Sequence, residues 1–238
     1  MRKFGLIGNP LSHSYSARYF KNKFEREAIL STYELFELDR IEALGALLQN
    51  QKLSGFNVTI PFKESIFPLL DRIVPEASAI GAVNCVRCAD NELIGYNTDA
   101  IAFEQSLLTF LETHPKQALV LGNGGSSKAV QFVLSKLNIP FRIVSRNLEL
   151  NFETLHPNLV HEAHLIVNTT PVGMFPQVQE SLDIPYEAIG SQHYIMDLIY
   201  NPLETAFLKR CSLTQARTLN GMHMLRIQAE ESWKIWNS

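Results

Sequence analysis

Four groups of side chains in this 238-residue sequence have types and spacings that could do chemistry. Lys63 follows the strand-like run Phe56 to Ile60, which Pro61 closes, and is flanked by Pro61, Phe62 and Ile66. A lone lysine is ordinarily a solvated surface charge, but partial desolvation suits an ammonium to hand over a proton. Asp99, in Asn97-Thr98-Asp99, offers a carboxylate. Asn97 or Asp99 caps the helix that starts near Ala100, or Asp99 holds Lys63 in a proton-transfer pair. Ser14 and Ser16 cap the helix that follows them, or their two hydroxyls grip both oxygens of a carboxylate. His13 between them reads as a loop residue with a local hydrogen bond.

The third group is the turn in ALVLGNGGSSKA, Ala118 to Ala129. Ala118 to Leu121 reads as a buried strand, and Gly122 and Gly124 let the backbone approach a pyrophosphate with no Cβ in the way. Ser126 and Ser127 open a helix whose unpaired N–H groups and dipole favour an anion. Ser127 stands where the Gly-x-Gly-x-x-Gly pattern has its third glycine. The fourth group lies about twenty residues on, at the end of the strand Phe141 to Ser145, where an acid would grip a ribose 2′-hydroxyl. Ser145-Arg146-Asn147 stands there instead, and a guanidinium with two small polar groups suits a 2′-phosphate.

The elements that must hold these groups alternate. Strands are expected at Phe4 to Ile7, Thr32 to Leu38 and Phe56 to Ile60, and helices over Ala17 to Ala28, Ile41 to Gln49 and Glu64 to Ile73. That βαβα order implies a parallel sheet, with ligands at its C-terminal edge. Val83 to Cys88 and Glu92 to Tyr96 form a hairpin across Ala89-Asp90-Asn91. Further strands are expected at Leu165 to Asn168 and Tyr194 to Leu198, and a helix over Met222 to Trp236.

Composition sets limits. With 46% hydrophobic and 19% charged residues and a net charge of −3, the chain reads as globular, with no electrostatic pull toward nucleic acid or an anionic membrane. It has no apolar run of about eighteen residues, and Met1-Arg2-Lys3 leads straight into a strand, so a cytoplasmic location is expected. Cys85-x-x-Cys88 has a metal or redox spacing, but no second ligand pair follows, so Cys85, Cys88 and Cys211 read as structural thiols.

Several strings in series resemble the shikimate dehydrogenase family. They are Gly8-Asn9-Pro10 through Ser14-x-Ser16, Asn57-Val58-Thr59-Ile60-Pro61-Phe62-Lys63, Gly81-Ala82-Val83-Asn84 and Asn97-Thr98-Asp99. In the second half Gly122 to Lys128, Asn168 to Met174, Asp197 to Pro202 and Gly221-Met222 through Gln228 are similar as well. The resemblance implies an α/β chain of two domains with a cleft between them. Residues 1–99 would bind substrate, residues 100–219 would form a Rossmann-like, doubly wound NADP-binding domain, and residues 220–238 would be a helix returning to the first. It implies reversible NADPH-dependent reduction of 3-dehydroshikimate to shikimate, a step of aromatic amino acid biosynthesis. Hydride chemistry belongs to the nicotinamide, so no metal is expected, and the chain is expected to be a monomer or homodimer.

By the same resemblance Lys63 and Asp99 are catalytic, and Ser14, Ser16 and Tyr200 take the substrate carboxylate. Asn57, Thr59, Asn84 and Gln228 would read hydroxyls, since a polyhydroxylated ring is discriminated by leaving none of its groups unpaired. Gly122, Asn123, Gly124, Gly125, Ser126, Ser145, Arg146, Asn147, Thr169 and Gly221 would hold NADP. A paralogue oxidising quinate as well as shikimate, with cofactor use relaxed toward NAD, and a catalytically silent NADP- or metabolite-binding regulator are the alternatives; the Lys63 and Asp99 pair argues against the regulator.

The sequence departs from the family in three places. The Arg146 segment reads Ser-Arg-Asn rather than Asn-Arg-Thr or Asn-Arg-Ser, which implies weaker 2′-phosphate binding. Too few residues separate Arg146 from Asn168 for a full crossover helix, strand and second helix. The chain also ends soon after Trp236, without a further helix that many relatives carry.

Overall fold

The computed structural model describes residues 1–12 and 14–238, so the expectation for His13 lies outside the described residues. It divides into two compact units, Met1–Asp99 with Gln228–Ser238, and Ala100–Ile227.

The first unit carries β1 (Arg2–Gly8), α1 (Ser16–Arg26), β2 (Ser31–Glu37), α2 (Leu44–Gln51), β3 (Gly55–Val58), β4 (Arg72–Ile73), α3 (Pro75–Ile80), β5 (Cys85–Ala89) and β6 (Glu92–Tyr96), and ends on Asp99, the first residue of α4 (Asp99–Phe110). The sheet order is β2-β1-β3-β5-β6-β4. The strands β2, β1 and β3 are parallel, but β5 runs antiparallel to both β3 and β6. The sheet is therefore mixed where the alternation implied a parallel one. Asp90 and Asn91 both take positive φ, 53° and 62°, and such a two-residue turn joins only antiparallel neighbours. The stretch Glu64 to Ile73 also differs from expectation, forming a 3-10 turn at Phe67–Leu69 and then β4. Pro68 in its middle lacks the N–H a helix needs.

β1 shows why this sheet is a core. Its period of two sends Phe4 to one face, among Phe20, Phe24, Ala229 and Trp236, and Ile7 to the other, among Leu44, Phe56 and Ile66. Trp236 stacks on Phe4 at 4.7 Å and donates its Nε1–H to Val86 O at 3.0 Å, anchoring the end of the C-terminal helix.

The second unit holds the rest of α4, then β7 (Ala118–Leu121), α5 (Gly125–Lys136), β8 (Phe141–Val144), α6 (Pro157–Glu162), β9 (Leu165–Asn168), β10 (Tyr194–Asp197), α7 (Ala206–Ser212), β11 (Arg217–Leu219) and the start of α8 (Met222–Trp236). Its sheet is entirely parallel, in the order β11-β10-β9-β7-β8. β7, β9 and β10 are buried along their whole length, as strands covered on both faces must be. The order reverses between β7 and β9, which makes their C-terminal ends the switch point where such sheets bind ligands. The crossover from β8 to β9 contains a single six-residue helix, α6. Among the described residues no helix is long and apolar enough to cross a membrane.

Candidate active site

The C-terminal ends of β1 and β3 and the adjoining ends of β5 and β6 form one edge of the first sheet, since Asn57 pairs with Cys85 and Cys85 with Tyr96. Beyond β3 the chain turns tightly, Phe62 N–H donating to Thr59 O at 2.9 Å, and buried Phe62 and Ile66 anchor the turn. Val83 N–H donates to Lys63 O at 2.8 Å and fixes that residue's backbone. From there Lys63 Nζ reaches Asp99 Oδ2 at 2.6 Å, with the two side chains 12% and 7% exposed. Asp99 sits at the N-terminus of α4, where the helix dipole favours a carboxylate.

Asn84 completes the pair. Its Nδ2 donates to Asp99 Oδ1 at 2.9 Å and to Gln228 Oε1 at 3.3 Å, while its Oδ1 accepts Thr98 N–H at 2.6 Å. One carboxylate oxygen of Asp99 thus faces the ammonium and the other an amide, which fixes the orientation of the carboxylate.

Of the hydroxyl readers expected from sequence, Asn84 and Gln228 join this cluster directly, and half-buried Thr59 stands at the same strand end. Asn57 faces inward. Its Nδ2 donates to Asn84 O at 3.1 Å and Ser232 Oγ at 2.8 Å, and its Oδ1 accepts from Tyr33 Oη at 3.0 Å. Ser14 lies in the loop after β1, and its Oγ accepts Ser16 N–H at 3.2 Å. That loop is tied down by Leu11 N–H to Glu37 Oε1 at 2.6 Å and by Asn9 N–H to Ile60 O at 3.0 Å. Tyr200 belongs to the second unit, in the loop after β10.

Sequence reasoning missed the residues that hold this cluster. Ser232, fully buried and one helical turn beyond Gln228, accepts from Asn57 and donates to Gln228 O at 2.8 Å. Glu230 joins Tyr19 to Lys23, whose Nζ lies 2.8 Å from Glu230 Oε2, and so clasps α8 to α1. The four-residue spacing of Gln228 and Ser232 was the available signal for the first; nothing local marked the second.

In the second unit, Gly122 has φ of 108°, and a Cβ there would meet Thr169 Oγ1 at 2.6 Å. Thr169 donates both N–H and Oγ1–H to Leu121 O, at 2.9 and 2.8 Å, which locks the end of β9 onto the glycine turn. Ser127 fills the third-glycine position and donates Oγ–H to Gly122 O at 2.8 Å. A Cβ on Gly124 would meet nothing within 4 Å, so open space lies before Gly125 and Ser126 at the start of α5. Asn123 beside it is exposed. Gly122 N–H donates to Val144 O at 2.8 Å, which joins this turn to the end of β8, where half-buried Ser145 leads into exposed Arg146 and Asn147. An open glycine turn, a helix start and a nearby guanidinium fit a dinucleotide carrying a 2′-phosphate. Gly221 is required for packing, because a Cβ there would overlap the Leu198 carbonyl.

The three cysteines are free, and burial pushes each of their thiols up to about 12, which keeps them protonated. Among the described residues no cluster of three or more His, Cys, Asp or Glu side chains is placed to hold a metal ion.

The profile of the shikimate dehydrogenase substrate binding domain matches residues 6–86. The NADP(+) shikimate dehydrogenase of Methanosphaera stadtmanae is 35% identical over 255 residues, covering 98% of this chain and 90% of that protein. Among solved structures, shikimate dehydrogenase from Aquifex aeolicus is 33% identical with a TM-score of 0.90, covering 100% of this chain and 92% of that one. Shikimate 5-dehydrogenase from Thermus thermophilus, in complex with NADP(H) and shikimate, is 30% identical with a TM-score of 0.88, covering 99% of this chain and 93% of that one.

Proposed function

The chain belongs to the shikimate dehydrogenase family, and on that premise we propose that it reduces 3-dehydroshikimate to shikimate, reversibly, with NADPH. Residues 1–99 with the C-terminal helix take the substrate, and residues 100–219 take the dinucleotide. The observation that carries the reading is a largely buried ion pair at a sheet edge: Lys63 Nζ at 2.6 Å from Asp99 Oδ2, with Asn84 on Oδ1.

When bound, the reduced nicotinamide supplies the hydride. As the ketone carbon is reduced its oxygen becomes an alkoxide and needs a proton, which Lys63 Nζ delivers and Asp99 helps to restore. Ser14, Ser16 and Tyr200 hold the substrate carboxylate. Thr59, Asn84 and Gln228 read hydroxyls, and Asn57 supports them from behind. Arg146, with Ser145 and Asn147, takes the 2′-phosphate, and the turn from Gly122 to Ser126 with Thr169 takes the pyrophosphate and ribose. The enzyme acts in the cytoplasm on a small molecule, without nucleic acid or membrane, as a monomer or homodimer.

The test is NADP reduction by shikimate in wild type and Lys63→Ala, with quinate and NAD alongside. Turnover that falls about 10²–10⁴-fold in the variant, while shikimate still binds, is the expected outcome. Preference for quinate or NAD would reassign the substrate or cofactor, and no turnover with any pair would sink the enzyme reading.

A further inference from the structure

Asp197, the last residue of β10, is fully buried and takes no part in the chemistry above. A buried carboxylate ordinarily needs a cation or a full set of donors. Asp197 has neutral donors, each from a different segment. Its Oδ1 accepts Asn168 Nδ2–H at 3.0 Å and Ile199 N–H at 3.0 Å, and its Oδ2 accepts Thr205 Oγ1–H at 2.6 Å.

The next ring of contacts gives these bonds their consequence. Asn168 Oδ1 accepts both Thr170 N–H at 2.9 Å and Thr170 Oγ1–H at 2.8 Å, so its amide can face Asp197 only with Nδ2. Between them sits Thr169, bonded to Leu121 O beside the glycine turn. Ile199 O accepts Gly221 N–H at 2.9 Å, just before α8, and the next residue is Tyr200. Thr205 caps α7, accepting Leu208 N–H at 3.2 Å. One carboxylate therefore ties the β9 loop, the β10 loop and the head of α7 together at the C-terminal edge of the second sheet.

We propose that Asp197 is a positioning residue for dinucleotide binding, holding Thr169 and the Leu198 to Tyr200 segment in place through Asn168 and Ile199. This rests on the reading of that edge as the NADP site. Its work is done by acceptor geometry rather than charge. Consistently, burial pushes the acid up to about 6, so that its neutral form lies close in energy.

The experiment titrates NADPH into full-length wild type, Asp197→Ala and Asp197→Asn, following nicotinamide fluorescence at a temperature where circular dichroism shows each protein folded. Alanine leaves the donors of Asn168, Ile199 and Thr205 unmet, and NADPH Kd is expected to rise about tenfold or more. Asparagine keeps an acceptor for Asn168 and Ile199, and should recover most of that loss. If Asp197→Ala does not fold, Thr205→Val removes one donor alone and is expected to raise Kd about threefold. Wild-type affinity in Asp197→Ala, or in Thr205→Val where that variant stands in, overturns the proposal, as does an Asp197→Asn no better than alanine. Wild type that binds no NADPH overturns both the proposal and the reading beneath it. Wild type that binds NADPH yet oxidises no shikimate overturns the enzyme reading alone and leaves the affinity comparison standing.

Discussion

The two units each bury an aspartate beside the C-terminal edge of a sheet, and they partner it differently. Asp99 faces the ammonium of Lys63 and the amide of Asn84, whereas Asp197 faces three uncharged donors. The first arrangement contains a proton that can be passed on; the second fixes loops. The same contrast runs through the rest of each unit. The first holds its site largely through side chains bonded to one another, as in Asn57 with Ser232 and Asn84 with Gln228 and Asp99. The second offers a glycine turn and helix start made of backbone, with exposed Arg146 nearby. Proton transfer demands particular atoms at hydrogen-bonding distance, whereas a phosphate is satisfied by N–H groups that any sequence with the right turn supplies.

If that contrast is right, single substitutions should act unequally. Asp99→Asn should cost the most, lowering kcat about 10²–10⁴-fold while leaving the NADP KM within about twofold, as steady-state kinetics would read. An equal loss in NADP affinity would break the division of labour.

Asp197 comes next, through stability. Its folded-state acid is raised from 3.8 to about 6, chiefly by burial. Between those values the folded protein binds more protons than the unfolded chain, so its contribution is full below the ordinary carboxyl range and is lost as pH rises to about 6. The change is on the order of 3 kcal/mol. Chemical denaturation from about pH 4 to about pH 7 should show that slope in wild type and lose it in Asp197→Asn; identical slopes would refute the assignment.

A smaller effect is expected at Arg146. Arg146→Ala should raise the NADP KM about tenfold and leave the NAD KM unchanged, since a charge-assisted phosphate contact contributes on that scale. Parallel changes with both cofactors would mean that Arg146 is only a surface charge. Ser232→Ala should destabilise by about 1 kcal/mol, by leaving an amide proton of Asn57 without its buried acceptor. It should also raise the shikimate KM more than it lowers kcat. A denaturation midpoint equal to wild type would show that Asn57 finds another partner.

Legibility in the sequence followed locality. The strand, turn and helix start within Ala118 to Ala129 are readable because a glycine turn between an apolar run and a helix start is set by neighbouring residues. So is the Asp90 and Asn91 turn, which needs positive φ at two adjacent positions. The expected Glu64 to Ile73 helix breaks at Pro68, whose missing N–H outweighs the apolar pattern. The mixed sheet was a different case: the hairpin was legible, but its placement beside β3 was not.

The sequence by itself determined which residue types stand at strand ends, that a lysine and an aspartate were available for proton transfer, and that the end of β8 carries arginine rather than an acid. Only the tertiary structure decided how those groups are spent. Asn57 and Ser232, 175 positions apart, meet in the interior, and Asn57 turns inward there because buried amides must find partners. Asp197 and Asn168 meet because parallel β9 and β10 bring their last residues side by side. Turn geometry and periodicity are fixed by neighbours within a few bonds, while the choice of hydrogen-bond partner depends on which distant segments the packed core brings within about 3 Å of one another.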